Sequence, residues 1–474
     1  MLEVSAAELA VMAGAELRGD PTAVVGPDVV IDSRSVTRGC LFVALPGERV
    51  DGHDFAARAE SAGAGAVLVT RSVDVGVPQL VVRDTAAALA RLAEAFVEQR
   101  LAAGLVSIGI TGSSGKTSTK DLIAQVLAAA GPTVAAAGSA NNEIGAPLTA
   151  LKVDAQTRYL VNELGARGLG HIQWLCGIVK PAVAVVTNVG HAHLGEFGSV
   201  EVIAQAKSEL VASLPAGGWA VLNADDPRVS AMAELAPGPV ATFAVGAEPT
   251  FGSIRVWATD VAADDRQRAG FVLHADGAVA GSAPVQLQVS GWHQVPNALA
   301  AAAVGLTQAC GVSEVAAELS QAVARSRWRM ELIDAPDGSL VVNDAYNANP
   351  DSMDAALRAV AAMRRPGGRL VAVLGDMLEL GPESADAHRR IGALAADLGF
   401  DALFTVGEFA DDLASGAFER GLSATVLSEP RAAIAAVKAI AAAPDVVLVK
   451  ASRGLALEAV AQGLTAEAGM ESER

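Results

Sequence analysis

The sequence predicts an α/β protein of three consecutive domains with mostly parallel sheets, at residues 1–103, 104–325 and 326–474. Three observations predict it. The chain has 474 residues, and at ~150 residues per domain about three are expected. Apolar strand runs alternate with helical patterns over most of the length, as in a parallel sheet covered by helices. One strand–loop–helix junction, "VSIGITGSSGKTSTKDLIAQVLAAAG" from Val106 to Gly131, carries the glycine, lysine and threonine of a phosphate-binding loop.

The first section reads as short strands, "DVVIDSR", "CLFVALPG", "AVLVT" and "QLVV", among alanine-rich helices, and the helical stretch "TAAALARLAEAFVEQRLAAG" leads out of it. In the second, "LVSIGIT", "YLVNELG", "AVAVVTNVG" and "GWAVLNADD" are apolar strands alternating with helices. Residues 251–291 alternate like strands and are expected as a small antiparallel addition. The longest uncharged run, around "VPNALAAAAVGLTQACGV", is mostly alanine and contains Pro296, Asn297 and Gln308, so it reads as a buried helix rather than a membrane span. The third section supplies the strands "SLVVNDAY", "RLVAVLGD", "ALFTVGE" and "DVVLVKAS".

Composition narrows the function. Hydrophobic residues make up 51% and charged residues 19% of the chain, enough to bury cores and against disorder. The net charge of -18, with no basic block, argues against nucleic-acid binding, which needs clustered Lys and Arg. Cys40, Cys176 and Cys310 are far apart and form no C-x-x-C, so neither a disulfide framework nor a cysteine zinc site is expected. The start, "MLEVSAAELA", lacks a basic secretory n-region, and the expected compartment is the cytosol.

The phosphate loop departs from the general pattern G-x-x-x-x-G-K-[ST], which puts a glycine five positions before the glycine of "GK". Here that position is Ile110. In the shorter loop, Gly112, Ser113, Ser114 and Gly115 turn their N–H groups around an anion, and the N-terminus of the helix expected from Thr117 to Ala130, which includes Ser118, adds its dipole. Lys116 can meet the outer phosphates and Thr117 can place its hydroxyl on Mg²⁺. A plain Gly/Ser turn is the competing reading. Lysine scarcity weighs against it: the chain has seven lysines among its 35 basic residues.

Further motifs stand in a fixed order. "SANNEIGAPLTAL", "NELGARGLGHI", "TNVGHAHLGEFGS", "AQAKSEL", "NDAYNANPDSM", "VLGDMLELG" and "VLVKASRG" follow "TGSSGKTSTK", and "IDSRSVTRGCLFVALPGERVDGHDF" precedes it. This set resembles the Mur ligases, ATP-dependent amide-forming enzymes of peptidoglycan synthesis, over almost the whole chain. The resemblance implies an N-terminal domain for the uridine nucleotide substrate, a central ATP-binding domain and a Rossmann-like C-terminal domain. "DAYNANPDSM" with "LGDMLELG" most resembles the member that joins D-alanyl-D-alanine to UDP-N-acetylmuramoyl-tripeptide.

The implied chemistry assigns roles. A carboxylate is a poor electrophile, and phosphorylation by ATP makes an acyl phosphate that an amine can attack. Both steps concentrate negative charge, so positioning and positive electrostatics should dominate. Taken alone, Glu163 reads as a solvated strand end, His193 as a surface or structural histidine and Lys207 as a surface lysine. The resemblance implies that Thr117, Glu163, His193 and Lys207 hold Mg²⁺, expected as two ions, and that Lys207 does so as a carbamate formed with CO₂. It leaves His191 without a role. It implies ATP contacts from Asn297 (the base), Arg329 (phosphates), Asp344 (ribose) and Asn347. For the substrates it implies Ser33, Arg34, Gly47, Asp51, Gly52 and His53 on the nucleotide, with Asn142, Asn349, Lys450, Ser452 and Arg453 on the peptides. Turn and cap formation compete at Asp51, Asn297, Asn347 and Asn349. A monomer without a membrane span is expected.

Three positions depart from the family's usual letters: Gln294 for asparagine, and Trp328 and Ala451 for glycines. Two other functions stay open. The preceding ligase adds diaminopimelate or lysine, but its "D-N-P-R" is missing here. A nucleotide-dependent switch would use the same loop without needing Glu163, His193 and Lys207.

Overall fold

The computed structural model describes residues 1–47, 50–190 and 194–466. After a two-stranded ribbon at the start, sheets of five, nine and six strands follow one another along the chain.

The first sheet runs in the order Glu16–Arg18, Gln79–Val81, Ala66–Val69, Leu41–Val43, Val29–Val30. Its edge strand Glu16–Arg18 is antiparallel and the rest are parallel. The helix Thr85–Ala102 leaves this sheet, started by Asp84, whose side chain accepts from the Ala87 N–H. Leu89, Leu92 and Phe96, at helical spacing, are fully buried on it. One apolar cluster passes from the first sheet through this helix into the helices His171–Val179 and Val200–Ala212 under the central sheet.

The central sheet runs from Thr133–Ala135 through Tyr159–Glu163, Val106–Thr111, Val183–Val186, Trp219–Asn223, Val240–Val245 and Ile254–Ala263, all parallel, to the antiparallel strands Arg268–Gly277 and Gly281–Ser290. The expected antiparallel addition is thus corrected in one respect. Its first strand is the seventh parallel strand of the main sheet, because Ile254–Ala263 pairs in parallel with Val240–Val245. Val106–Thr111 lies inside the sheet, and the chain adds strands first on one side of it and then on the other. Such a reversal opens a crevice at the carboxyl ends of the strands, where ligands of open α/β sheets bind.

The alanine run forms the helix Gln294–Thr307, buried along nearly all its length against the helix Lys116–Ala130 and the sheet. At Gly305 an added Cβ would come within 2.8 Å of Val126. No described helix is long and apolar enough to cross a membrane.

The third sheet has the order Glu331–Asp334, Leu340–Asn343, Val446–Lys450, Leu370–Gly375, Ala402–Val406, Ala424–Leu427, with only the first pair antiparallel. It carries its own two apolar clusters, one on each face.

Candidate active site

The carboxyl ends of the central and third sheets face one cleft of about 610 Å³. Its central wall starts at the phosphate loop. Gly115 takes φ +78°, and a Cβ there would lie 2.5 Å from Asn297 Oδ1. A Cβ on Gly112 would lie 1.9 Å from Thr187 Oγ1. Both positions therefore require glycine. The segment after the neighbouring strand braces the loop: the Ser114 N–H donates to Asn188 Oδ1 (2.9 Å), Thr187 Oγ1 donates to the Ser114 carbonyl (2.8 Å) and the Gly190 N–H donates to Ser113 Oγ (2.8 Å). A loop two residues shorter than the general pattern is braced here by a second strand end. Lys116 Nζ folds back to the Gly112 carbonyl at 2.8 Å. Burial pulls its pKa down, against the attraction of Glu163, and Arg329 adds to the lowering.

Glu163 ends the adjacent strand and is buried. Its Oε2 accepts from Thr117 Oγ1 (2.8 Å), and its Oε1 accepts from Ser139 Oγ (2.7 Å) and Asn141 Nδ2 (2.7 Å). Burial pushes its pKa up, but Lys116, Arg329 and the hydrogen bonds from Ser139 and Thr117 outweigh that, and the net shift is downward. An ionised carboxylate beside a hydroxyl is the hard-oxygen donor set that suits Mg²⁺, so these residues fit the ion. His193, with His191, lies outside the described residues. Lys207, on the helix Val200–Ala212, is buried and forms no ion pair among the described residues. Burial first, and then Lys116, hold its pKa well below the usual lysine value.

The opposite wall belongs to the third sheet. Lys450, at the end of the strand Val446–Lys450, is 2% exposed and donates to Asp344 Oδ2 (2.6 Å) and the Asn347 carbonyl (3.0 Å). Asp344 Oδ1 accepts from the Met330 N–H at 3.0 Å. Ser452 Oγ accepts from the Leu378 N–H (3.0 Å). Arg329 stacks on Tyr346 at 4.4 Å, with its Nε buried and without a hydrogen-bond partner among the described residues. Arg453 stacks on Trp328 at 4.1 Å and pairs with Glu458 at 2.8 Å. Trp328 and Met330, either side of Arg329, take left-handed φ of +61° and +47°.

Gly112, Lys207 and Asn142 do not line the cleft, whereas Ser113 to Ser118, Glu163, Asn297, Arg329, Asp344, Asn347, Asn349, Lys450, Ser452 and Arg453 do. Several of the expected residues are engaged locally. Asn141 faces Glu163, whereas Asn142, expected at the peptide substrate, does not line the cleft, and its Oδ1 accepts from the Gly145 N–H (2.9 Å) at the start of a helix. Asn297 lines the cleft with its amide already engaged, accepting from Thr119 Oγ1 (3.1 Å) and donating to Gln294 Oε1 (3.0 Å), so Gln294 supports it. Asn349 caps the helix Pro350–Ala362.

The first-section residues Ser33, Arg34, Gly47, Asp51, Gly52 and His53 stand apart from this cleft and are largely occupied locally. Arg34 pairs with Asp32 (2.7 Å) beside the buried Ser33. The close approaches at Gly47 and Gly52 are to the chain itself: a Cβ would meet the Val50 carbonyl at 2.9 Å and the Leu45 carbonyl at 2.6 Å. Asp51 accepts from the His53 N–H and from Arg71, and these contacts hold its carboxyl below the usual range. His53 is 4% exposed with both ring nitrogens engaged, one by Asp51 and one by Thr70.

Sequence reasoning missed Ser139, Asn141, Arg167, Thr187, Asn188 and His293, all in the cleft lining. The lone histidine of "WHQVPN" was the available signal for His293, whose pKa burial lowers, opposed by Asp344 and reinforced by Lys450.

Three family models match the chain: "Mur ligase family, catalytic domain" at residues 28–97, "Mur ligase middle domain" at 110–305, and "Mur ligase, glutamate ligase domain" at 328–453. The chain is 44% identical to the UDP-N-acetylmuramoyl-tripeptide–D-alanyl-D-alanine ligase of Mycobacterium tuberculosis strain H37Rv, over 98% of each chain. Among solved structures it is similar to MurF from Acinetobacter baumannii (TM-score 0.84, 32% identity, 98% of this chain and 99% of that one). It is also similar to the MurF ligase of Thermotoga maritima in complex with ADP (TM-score 0.75, 28% identity, 92% and 97%).

Proposed function

The chain belongs to the Mur ligase family, and from that premise we propose that it joins D-alanyl-D-alanine to UDP-N-acetylmuramoyl-tripeptide, using ATP and releasing ADP and phosphate. The observation that carries this reading is the 44% identity, end to end, with a ligase of that name. The cleft supports it, with a braced anion loop on one wall and basic and amide side chains on the other.

In this reading the loop N–H groups and Lys116 hold the transferring phosphoryl group, and the tripeptide carboxylate leaves the first step as an acyl phosphate. Arg329, set between the walls, neutralises the charge that develops there. Magnesium, when bound, supplies further charge neutralisation; Thr117, Glu163, His193 and carbamylated Lys207 would hold it, as two ions. The lowered pKa of Lys207 supports the carbamate, because only a neutral amine can add to CO₂, its nitrogen attacking carbon and its proton passing to solvent. Asn347, Asn349, Lys450 and Arg453 select the incoming dipeptide by pairing its amide and carboxylate, groups a single amino acid would leave unmatched. The first sheet holds the uridine nucleotide through Ser33, Arg34 and the segment around Asp51. The three sheets correspond to domains at 1–103, 104–325 and 326–474 of a cytoplasmic monomer.

The test supplies the protein with ATP, Mg²⁺, either the nucleotide-tripeptide or the nucleotide-dipeptide, and a panel of amines, and weighs the products. D-alanyl-D-alanine should be coupled and single amino acids refused. Coupling of diaminopimelate or lysine to the nucleotide-dipeptide, without D-alanyl-D-alanine coupling, would assign the preceding reaction instead.

A further inference from the structure

Lys120 has no part in the reading above, yet it is fully buried one helical turn after Lys116. Its ammonium meets three oxygens: the Ala136 carbonyl, the Gly138 carbonyl (2.9 Å) and Asp121 Oδ1 (2.8 Å). Residues 136–138 carry the chain from the strand Thr133–Ala135 to Ser139 and Asn141, the two residues that donate to Glu163 Oε1. Gly138 takes φ +66° with nothing within 4 Å of where its Cβ would stand, so packing at that point does not hold the arch.

The other end of the Lys120–Asp121 pair reaches the linker between the central and third sheets. Asp121 Oδ2 accepts from the Ser326 N–H at 2.9 Å. One turn further, Gln125 exchanges hydrogen bonds with both backbone groups of Val323, at 2.9 and 3.1 Å.

We infer that Lys120 is a positioning residue for the metal site: by fixing the arch 136–141 it makes Ser139 and Asn141 hold the Glu163 carboxylate in the orientation that binds Mg²⁺. A carboxylate free to turn is a poor ligand, and loss of a partner that orients a metal ligand typically costs about 10–100-fold in metal affinity. Glu163 is fixed at both oxygens, Oε2 by Thr117 on the helix and Oε1 by the arch. The helix carrying Thr117 is the one that carries Lys120, so a single rigid element sets both sides of the carboxylate. Burying an ammonium is costly compared with burying an apolar side chain of similar size, so packing alone does not account for a lysine at this position.

The inference rests on Glu163 as a magnesium ligand, and the experiment separates the two. The full chain is titrated with Mg²⁺ at a fixed, subsaturating concentration of a non-hydrolysable ATP analogue, with binding read by calorimetry. Glu163→Gln calibrates the method: if it leaves the Mg²⁺ midpoint unchanged, the metal reading of Glu163 falls and this inference with it. Lys120→Met should raise the midpoint about tenfold, while metal-free binding of the analogue stays near that of the unchanged protein. A folded Lys120→Met with a normal midpoint, beside a shifted Glu163→Gln, overturns the inference alone. Where Lys120→Met does not fold, Gly138→Ala strains the same arch with Lys120 in place; a raised midpoint supports the inference and an unchanged one overturns it.

Discussion

The two walls of the cleft handle positive charge in opposite ways. On the central wall, Lys116 has, among the described residues, a backbone carbonyl as its hydrogen-bond partner, and behind that wall Lys207 has no ion pair among the described residues; burial lowers both pKa values. On the third-sheet wall, Lys450 is neutralised by Asp344 and Arg453 by Glu458. Lys116 on the central wall thus gains from an anion, whereas Lys450 and Arg453 on the third wall already hold carboxylate partners. The cores repeat the contrast. The first and central sheets share one apolar cluster, but the third sheet has its own on each face. A ligand completes the first wall and has to compete for the second.

Four substitutions break or sharpen this contrast. The largest effect is expected for Lys116→Ala, which removes the cation of the phosphate loop itself: ATP turnover should fall about a thousand-fold with the fold intact by circular dichroism. Near-normal turnover would dissolve the contrast. Next comes Lys207→Met. Activity should fall at least about a hundred-fold, yet thermal stability at pH 7 in CO₂-depleted buffer should rise, because a buried amine whose charged form is disfavoured, and which has no ion pair among the described residues, is removed. The sign follows from linkage. The native pKa of Lys207 lies below its unfolded value, so the unfolded state binds more protons and stability grows as pH rises toward about 10.4. The stability gap between Lys207→Met and the unchanged protein should therefore narrow between pH 7 and pH 10; a constant gap contradicts it.

Asp344→Asn acts on the satisfied wall. It strips Lys450 of its counter-charge and weakens the Met330 contact, so kcat/KM should fall about tenfold, less than for Lys116→Ala. A larger loss would make the third wall the catalytic one. The smallest effect is expected for Trp328→Gly. Glycine relieves a left-handed backbone, worth about 1–2 kcal/mol, but forfeits the Arg453 stack, worth about 0.5–1 kcal/mol. Thermal denaturation should show a midpoint close to that of the unchanged protein, and a clear drop would mean the stack outweighs the strain.

What the sequence disclosed about this site was local. The strand, the glycines of the loop and the helix after it lie within one contiguous stretch, and their spacing carries the geometry. Glu163 was legible as a strand end next to that loop. The braces were not: Thr187 and Asn188 reach the loop only because Val183–Val186 pairs beside Val106–Thr111, a long-range pairing that local periodicity does not contain. Asn141 and Asn142 are equivalent letters in "SANNE", and only the path of the backbone decides which one faces Glu163 and which starts a helix. Lys120 could have been noticed, as one of two lysines within five residues in a lysine-poor chain. The close backbone contacts at Gly47 and Gly52, with the Val50 and Leu45 carbonyls, were not legible in the sequence, because they depend on the path of the folded chain. The antiparallel strands after Phe251 were visible in alternation, but which sheet they extend is set by the edge they meet.

The seam between the helices Lys116–Ala130 and Gln294–Thr307 has a mechanical consequence. Alanines and Gly305 bring the two helices so close that a single added methyl at Gly305 would strike Val126, and Thr119 ties the first helix to Asn297 on the second. Such a joint has little slack to compress. The phosphate loop is mounted on a stiff plate, and a load applied by a ligand passes through it almost undiminished to the next compliant part of the chain, past the anchor at Ser326. There Trp328 and Met330 already hold the backbone in left-handed turns. The plate transmits and the joint yields, so displacement between the sheets concentrates within those few residues.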